Sequence, residues 1–298
     1  MSAPAGLPWS AVEILTSLTQ HRALTTEQVH QIHLPDRSPR RARQILSTLK
    51  DAGLVCLVRG PGGLPRGLWF VTEAGTKIAL ESGRLDHAPR VLSPEQAAGQ
   101  LRLHTVAVND TAISFLNEAR RRGDDFGPLS WRHEVVHPLT RGRGRRRKFL
   151  RADALLTYLR LDDGDVFVEQ RFLEVDRATL SVDSLATELA TYATLFRATG
   201  EQGEPLWRSS YPACPPILCV LDGAPRATLE RRRNATIALL ASDPELIRTP
   251  EVTIQICLAA DLGEQGPFAA IFHDPARPGE WLNWLGDPTD TDQGGRSM

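Results

Sequence analysis

A chain of 298 residues with 41% apolar and 24% charged side chains holds material for about two globular domains, which excludes a fibrous or disordered protein. No apolar run nears the roughly 20 residues that cross a bilayer, and the opening Met1-Ser-Ala-Pro-Ala-Gly-Leu-Pro lacks the basic and apolar regions of a secretory signal. A soluble, cytoplasmic protein with no membrane partner is expected. The formal net charge of −1 conceals arginines crowded between Arg37 and Arg66 and between Arg141 and Arg151, so near-neutrality does not exclude nucleic acid. The cysteines Cys56, Cys214, Cys219 and Cys257 are scattered without a CxxC pair, which suits reduced thiols rather than disulfides or a zinc knuckle.

In chain order, Val12, Ile14, Leu15 and Leu18 have the spacing of an amphipathic helix. The segment from Leu24 to Ile32 reads as a second helix capped by Thr25 or Thr26. Ser38-Pro39 signals the start of a third, with Ala42, Ile45, Leu46 and Leu49 on one stripe and Gly53 ending it. Leu54–Arg59 and Leu68–Val71 then read as two short strands joined by the glycine-rich turn 60–67. Three helices followed by a hairpin is the order of a winged helix-turn-helix, expected over residues 8–82. The outward face of the third helix carries Arg40, Arg41, Arg43, Gln44, Ser47 and Thr48, side chains that fork onto guanine or adenine or contact phosphates in a major groove. Arg59 and Arg66 at the wing would reach the adjacent backbone. The expected partner is double-stranded DNA.

Residues 83–97 read as a linker and 98–285 as a second domain, with a disordered tail at 286–298. The second domain opens on a long helix from Ala98 to Arg122. Strands follow near 134–137, 149–159 and 166–175, then a helix at 182–196, a strand at 217–221, a helix at 228–240 and a strand at 252–258. The class is α/β of the α+β type, with a mixed sheet covered by helices.

Three features of this domain carry chemistry. His133-Glu-Val-Val-His137 spells HExxH, but that zinc motif works on a helix. Val135, Val136 and the following Pro138 place it on a strand, where four residues span roughly 13 Å, too far for both rings to share one metal. Arg143, Arg145, Arg146, Arg147 and Lys148 form a glycine-interrupted basic loop suited to salt-sensitive phosphate contact. Asp153, Glu174 and Asp176 lie on successive strands. Glu174 and Asp176 share a face, and an adjacent strand would bring Asp153 beside them as a hard-oxygen set for Mg²⁺ or Mn²⁺.

The strand–strand–helix arrangement around Asp153 and Glu174-Val-Asp176 resembles the restriction-endonuclease-like PD-(D/E)xK core. With the winged helix, the His104…Asn109-Asp110 helix, Glu174-Val-Asp-Arg-Ala-Thr179 and the Glu188-Leu-Ala-Thr-Tyr192 helix, residues 10 to 200 resemble the replication-relaxation family of actinobacterial plasmids and mobile elements. Some members of that family are DNA relaxases. The resemblance implies a DNA-binding protein of replication or relaxation, with Asp153, Glu174 and Asp176 as catalytic metal ligands for strand nicking. The sequence departs from the nuclease core at Asp176, where a lysine is usual, and no lysine follows Lys148. Arginine can hold a phosphate but not transfer its proton. The alternative is a regulator or replication accessory protein whose nuclease-like domain is inert. Tyr158 and Tyr192 are the tyrosines available to a relaxase, and packing is the commoner use of each. Whether the chain forms a homodimer is left open.

Overall fold

The computed structural model describes residues 6–58, 67–85, 101–140 and 148–288, in two compact units, Met1–His133 and Glu134–Met298. Arg59 and Arg66, the loop arginines Arg143, Arg145, Arg146 and Arg147, and most of the linker and tail lie outside the described residues.

In the first unit the helices are α1 (Trp9–His21), α2 (Thr26–His33), α3 (Pro39–Asp51), α4 (Glu73–Glu81) and α5 (Leu101–Arg122). The strands β1 (Leu24–Thr25), β2 (Val55–Val58) and β3 (Leu68–Val71) form an antiparallel sheet in the order β1-β3-β2. Thr25 closes a capping box with Gln28, each accepting the other's backbone N–H at 3.0 and 2.9 Å. Thr25 is therefore the cap, one of the two expected, while Leu24 belongs to a short strand and not to the helix. α4 is an addition to the expected elements. Thr72 caps it by accepting from Gly75 N, and Gly75 lies where a Cβ would come 2.2 Å from Leu54 O.

α5, expected in the second domain, falls within the first compact unit. The reason is polar as well as apolar. Asn109 is fully buried and donates to Ala23 O at 3.0 Å, while its Oδ1 accepts from Trp131 Nε1 at 3.1 Å and pairs with His133 Nε2 at 2.9 Å. Gln28 donates to Val106 O and Asp110 Oδ1, and Arg120 donates to Gln31 O and Ile32 O, satisfying carbonyls in the last turn of α2. Removing such buried partners costs more than an average hydrogen bond is worth, so α5 is tied to α2.

The second unit is built on a sheet in the order β4-β5-β6-β7-β8, from β4 (Trp131–Pro138), β5 (Phe149–Asp162), β6 (Asp165–Asp176), β7 (Ile217–Leu221) and β8 (Ile254–Leu258). The unit boundary falls inside β4. β5 and β6 pair antiparallel, whereas β6–β7 and β7–β8 are parallel. The chain reaches β7 through α6 (Val182–Arg197) and β8 through α7 (Arg226–Ala241) and the short α8 (Pro244–Ile247); α9 (Ala259–Gln265) follows β8. Asp163 and Gly164 both have positive φ, 46° and 90°, as the tight turn between β5 and β6 demands. On one face Leu189 and Tyr192 of α6 pack with Leu155, Phe172, Ile217 and Ile256. At β5 and β6 the other face is covered by the C-terminal segment, whose Trp284 meets Tyr158 at 5.1 Å and lies under the Arg171 guanidinium at 5.0 Å.

His133 and His137 both lie on β4, as expected for a strand rather than a zinc helix. His137 pairs with the Tyr211 hydroxyl at 2.9 Å. All four cysteines are free thiols. No helix among the described residues is long and apolar enough to cross a membrane.

Candidate nucleic-acid interface and carboxylate cluster

Pro39 at the first turn sets the φ that starts α3, and Ala42, Ile45, Leu46 and Leu49 bury one side of it. The opposite side is left to solvent: Arg40, Arg41, Arg43, Gln44, Ser47 and Thr48 are all exposed. Arg43 reaches back to Pro39 O and Thr48 to Gln44 O, both within the helix. Neither interaction neutralises a charge. Arg37, Arg40 and Arg41 line an open groove of about 460 Å³ with Ser38 and Gln44. The first turn holds no acidic residue, so the helix N-terminus adds its partial positive charge to theirs. Lys148, the described end of the second basic element, is exposed.

The carboxylates divide into two arrangements. Ala154 stands opposite Leu173 in the β5–β6 register, so one step further Asp153 stands opposite Glu174. Val175 N donates to Asp153 Oδ2 at 2.8 Å, and the Tyr192 hydroxyl donates to Glu174 Oε1 at 2.5 Å. Glu174 is 6% exposed. Burial, and next the negative charge of Asp153, push its pKa well above the ordinary carboxylate value. Both causes favour the protonated carboxyl, the form that can donate to Asp153. Burial and Glu174 likewise raise the Tyr192 hydroxyl, which leaves it a hydrogen-bond donor rather than a nucleophile. Tyr158 is also fully buried, so neither tyrosine is presented to solvent. Glu188 on α6 adds a further charge near this pair.

Asp176 goes elsewhere. Both its oxygens accept from the Arg232 guanidinium of α7, with Nη2–Oδ1 at 3.1 Å, and Oδ1 also accepts from Ala178 N. The side chains of this pair are 9% and 4% exposed. A divalent cation needs several ionised oxygens free to turn toward one point. Asp176 is committed to Arg232, burial and Asp153 disfavour a charge on Glu174, and no group of three His, Cys, Asp or Glu among the described residues is placed to hold a metal. As these side chains lie, the expected trio does not fit Mg²⁺ or Mn²⁺. Glu188 belongs to a motif quoted from the sequence, without a role there, and sequence reasoning missed Arg232. Arg232 sits in the run Arg231-Arg-Arg233, which reads as a solvated charge cluster until the helix is docked.

The chain is similar to a solved double mutant of Lactococcus lactis ZitR, with 20% identity over 40% of this chain and 78% of that one and a TM-score of 0.24. It is also similar to protein VC1899 from Vibrio cholerae, with 12% identity and a TM-score of 0.30, covering 87% of this chain and 51% of that one. No curated protein matches it. The Replication-relaxation family matches residues 15–205, which take in α3, Asp153, Glu174, Asp176 and Tyr192. The chain belongs to the Replication-relaxation family.

Proposed function

We propose that this protein binds duplex DNA through α3 of a winged helix-turn-helix and serves replication or relaxation of a plasmid or mobile element in the cytoplasm. The observation that carries the reading is the exposed Arg40, Arg41, Arg43, Gln44, Ser47 and Thr48 on a helix whose other side is locked into the core. Cations held away from acids by a rigid helix are ready to fork onto base edges and phosphates without rearrangement. The family match supports the same reading. β2 and β3 would form the wing, with Arg59 and Arg66 at its tip. The loop arginines Arg143, Arg145, Arg146 and Arg147, with Lys148, would add sequence-independent contacts.

The second unit fits a degenerate PD-(D/E)xK-like domain better than an active one. Its order of strands and helices suits that core, but nicking through Mg²⁺ or Mn²⁺ would require Arg232 to release Asp176 and Glu174 to carry its charge against burial and the neighbouring Asp153. We therefore favour a DNA-binding regulator or replication accessory protein over a nicking enzyme.

Fluorescence anisotropy on duplex DNA tests the interface. Arg41→Ala with Gln44→Ala should weaken binding by roughly tenfold or more, and the salt dependence should flatten by about one unit of slope for each phosphate that is no longer neutralised. Unchanged affinity would remove α3 from the groove. Supercoiled plasmid incubated with Mn²⁺ tests the second unit. Intact plasmid together with a strong gel shift supports the accessory reading, and nicking abolished by Asp153→Ala or Glu174→Ala refutes it.

A further inference from the structure

We propose that residues Asp165–Gln170 of β6 pair antiparallel with the same residues of a second copy of this chain, forming a homodimer through a continuous four-stranded ribbon. β7 pairs only with Phe172–Asp176, so among the described residues the start of β6 has a neighbouring strand on one side alone, β5. Phe172 N donates toward β7, to Pro216 O at 2.9 Å. Hydrogen-bonding direction alternates along a strand, and the β5–β6 register runs unbroken from Ala154–Leu173 to Asp162–Asp165. Val166, Val168 and Gln170 therefore aim N–H and C=O at the open edge. Along it Val166, Phe167 and Val168 are 60%, 41% and 58% exposed. An apolar strand with an open backbone edge is a template for another strand.

Geometry and charge favour an identical strand in one register. In a two-fold antiparallel pairing, residues that point outward must face residues that point outward, so the axis passes through a residue rather than between two. An axis at Phe167 would set Asp165 against the partner's Glu169, and an axis at Glu169 would set that glutamate against itself. An axis at Val168 sets Asp165 against the partner's Arg171 and Val166 against the partner's Gln170. It lets Val166, Val168 and Gln170 exchange about six backbone hydrogen bonds. The apolar side chains of Val166 and Val168 then form one stripe across both copies and no two carboxylates face each other; Arg171 is buried and already paired with Glu169 at 3.0 Å, so the pairing rests on the backbone bonds and the valines. The other edge of the ribbon is less suited: there Thr157 through Arg160 are buried or half-buried, and Arg160 already pairs with Asp162 at 2.6 Å. This inference stands apart from the DNA-binding reading, although a dimer would carry two α3 helices.

Sedimentation velocity on the full chain without DNA, over a concentration series, tests it. The wild type should show a concentration-dependent dimer. Val168→Pro should be monomeric, and since the Val168 N–H points away from β5, the substitution removes no β5–β6 bond; an unchanged circular dichroism spectrum checks this. Val166→Lys with Val168→Lys, which leaves the backbone intact, should also be monomeric. A wild type that stays monomeric, or a dimer indifferent to both variants, overturns the proposal.

Discussion

Arg232→Ala would leave Asp176 as a buried carboxylate with the Ala178 N–H as its remaining described donor. The two side chains are 9% and 4% exposed, so the carboxylate is left largely away from solvent without its guanidinium. Breaking one side of a buried pair typically costs about 3–5 kcal/mol, because the survivor is stranded away from solvent. For a unit of this size that corresponds to a fall of roughly 10 °C in the unfolding midpoint. The companion Asp176→Leu with Arg232→Met removes both charges at similar volume and should recover most of the loss. The assay is urea and thermal unfolding of the whole chain, with hydrogen exchange on β6 and β7 to assign the transition to the second unit. If Arg232→Ala unfolds with the wild-type midpoint, the pair is not a structural brace and Asp176 is available to a metal after all. A Mn²⁺ titration by calorimetry would then bind wild type and fail in Asp176→Asn, the opposite of the expected outcome.

Glu174→Gln supplies permanently the N–H that stands in for the proton Glu174 offers to Asp153, and it keeps an acceptor for Tyr192. The folded pKa of Glu174 is raised, so its contribution is complete below the ordinary value of 4.5 and is lost as pH rises through the folded value. The variant should therefore be more stable than wild type at alkaline pH and equal to it near pH 4, as read from urea midpoints across pH; a constant difference would refute proton sharing. In the first unit, burial lowers His133 to about 3 and His33 to about 4, and His21 falls well below 6.5 for the same reason. Stability from these neutral rings is complete above pH 6.5 and drains away as pH falls toward 4, so circular dichroism should show acid unfolding of the first unit beginning in that window. A flat profile from about pH 7 to 4 would contradict it. Gly75→Ala drives a Cβ to 2.2 Å from Leu54 O and 2.8 Å from Val71 Cγ2, and should destabilise the first unit by about 2–3 kcal/mol. A thermal midpoint within about a degree of wild type would mean that the α4 junction yields.

Local rules make much of the fold legible. The apolar stripe of α3, its Ser38-Pro39 start and its outward arginines depend on 3.6-residue spacing, which the chain displays directly. The strands from β4 to β8 stand out through β-branched and apolar runs, and Val-Val-His-Pro keeps HExxH off a helix. Asp163-Gly164 is a turn signal of the same local kind, and it sets the β5–β6 register that puts Asp153 opposite Glu174. Period-2 alternation likewise puts Glu174 and Asp176 on one face. It cannot say which partner each will meet. Arg232 lies 56 residues beyond Asp176 and reaches it only because α7 docks against α6 and β8, while Tyr192 on α6 meets Glu174 in the core. α5 looks like the start of a second domain because its sequence shows amphipathic spacing but not its neighbour; Asn109 and Arg120 tie it to the first unit through partners 86 and 88 residues away. The sequence by itself determined which side chains the chain presents for chemistry, because spacing and propensity act within a few residues. Tertiary structure decided which of them are spent, because burial and pairing depend on elements far apart in the chain.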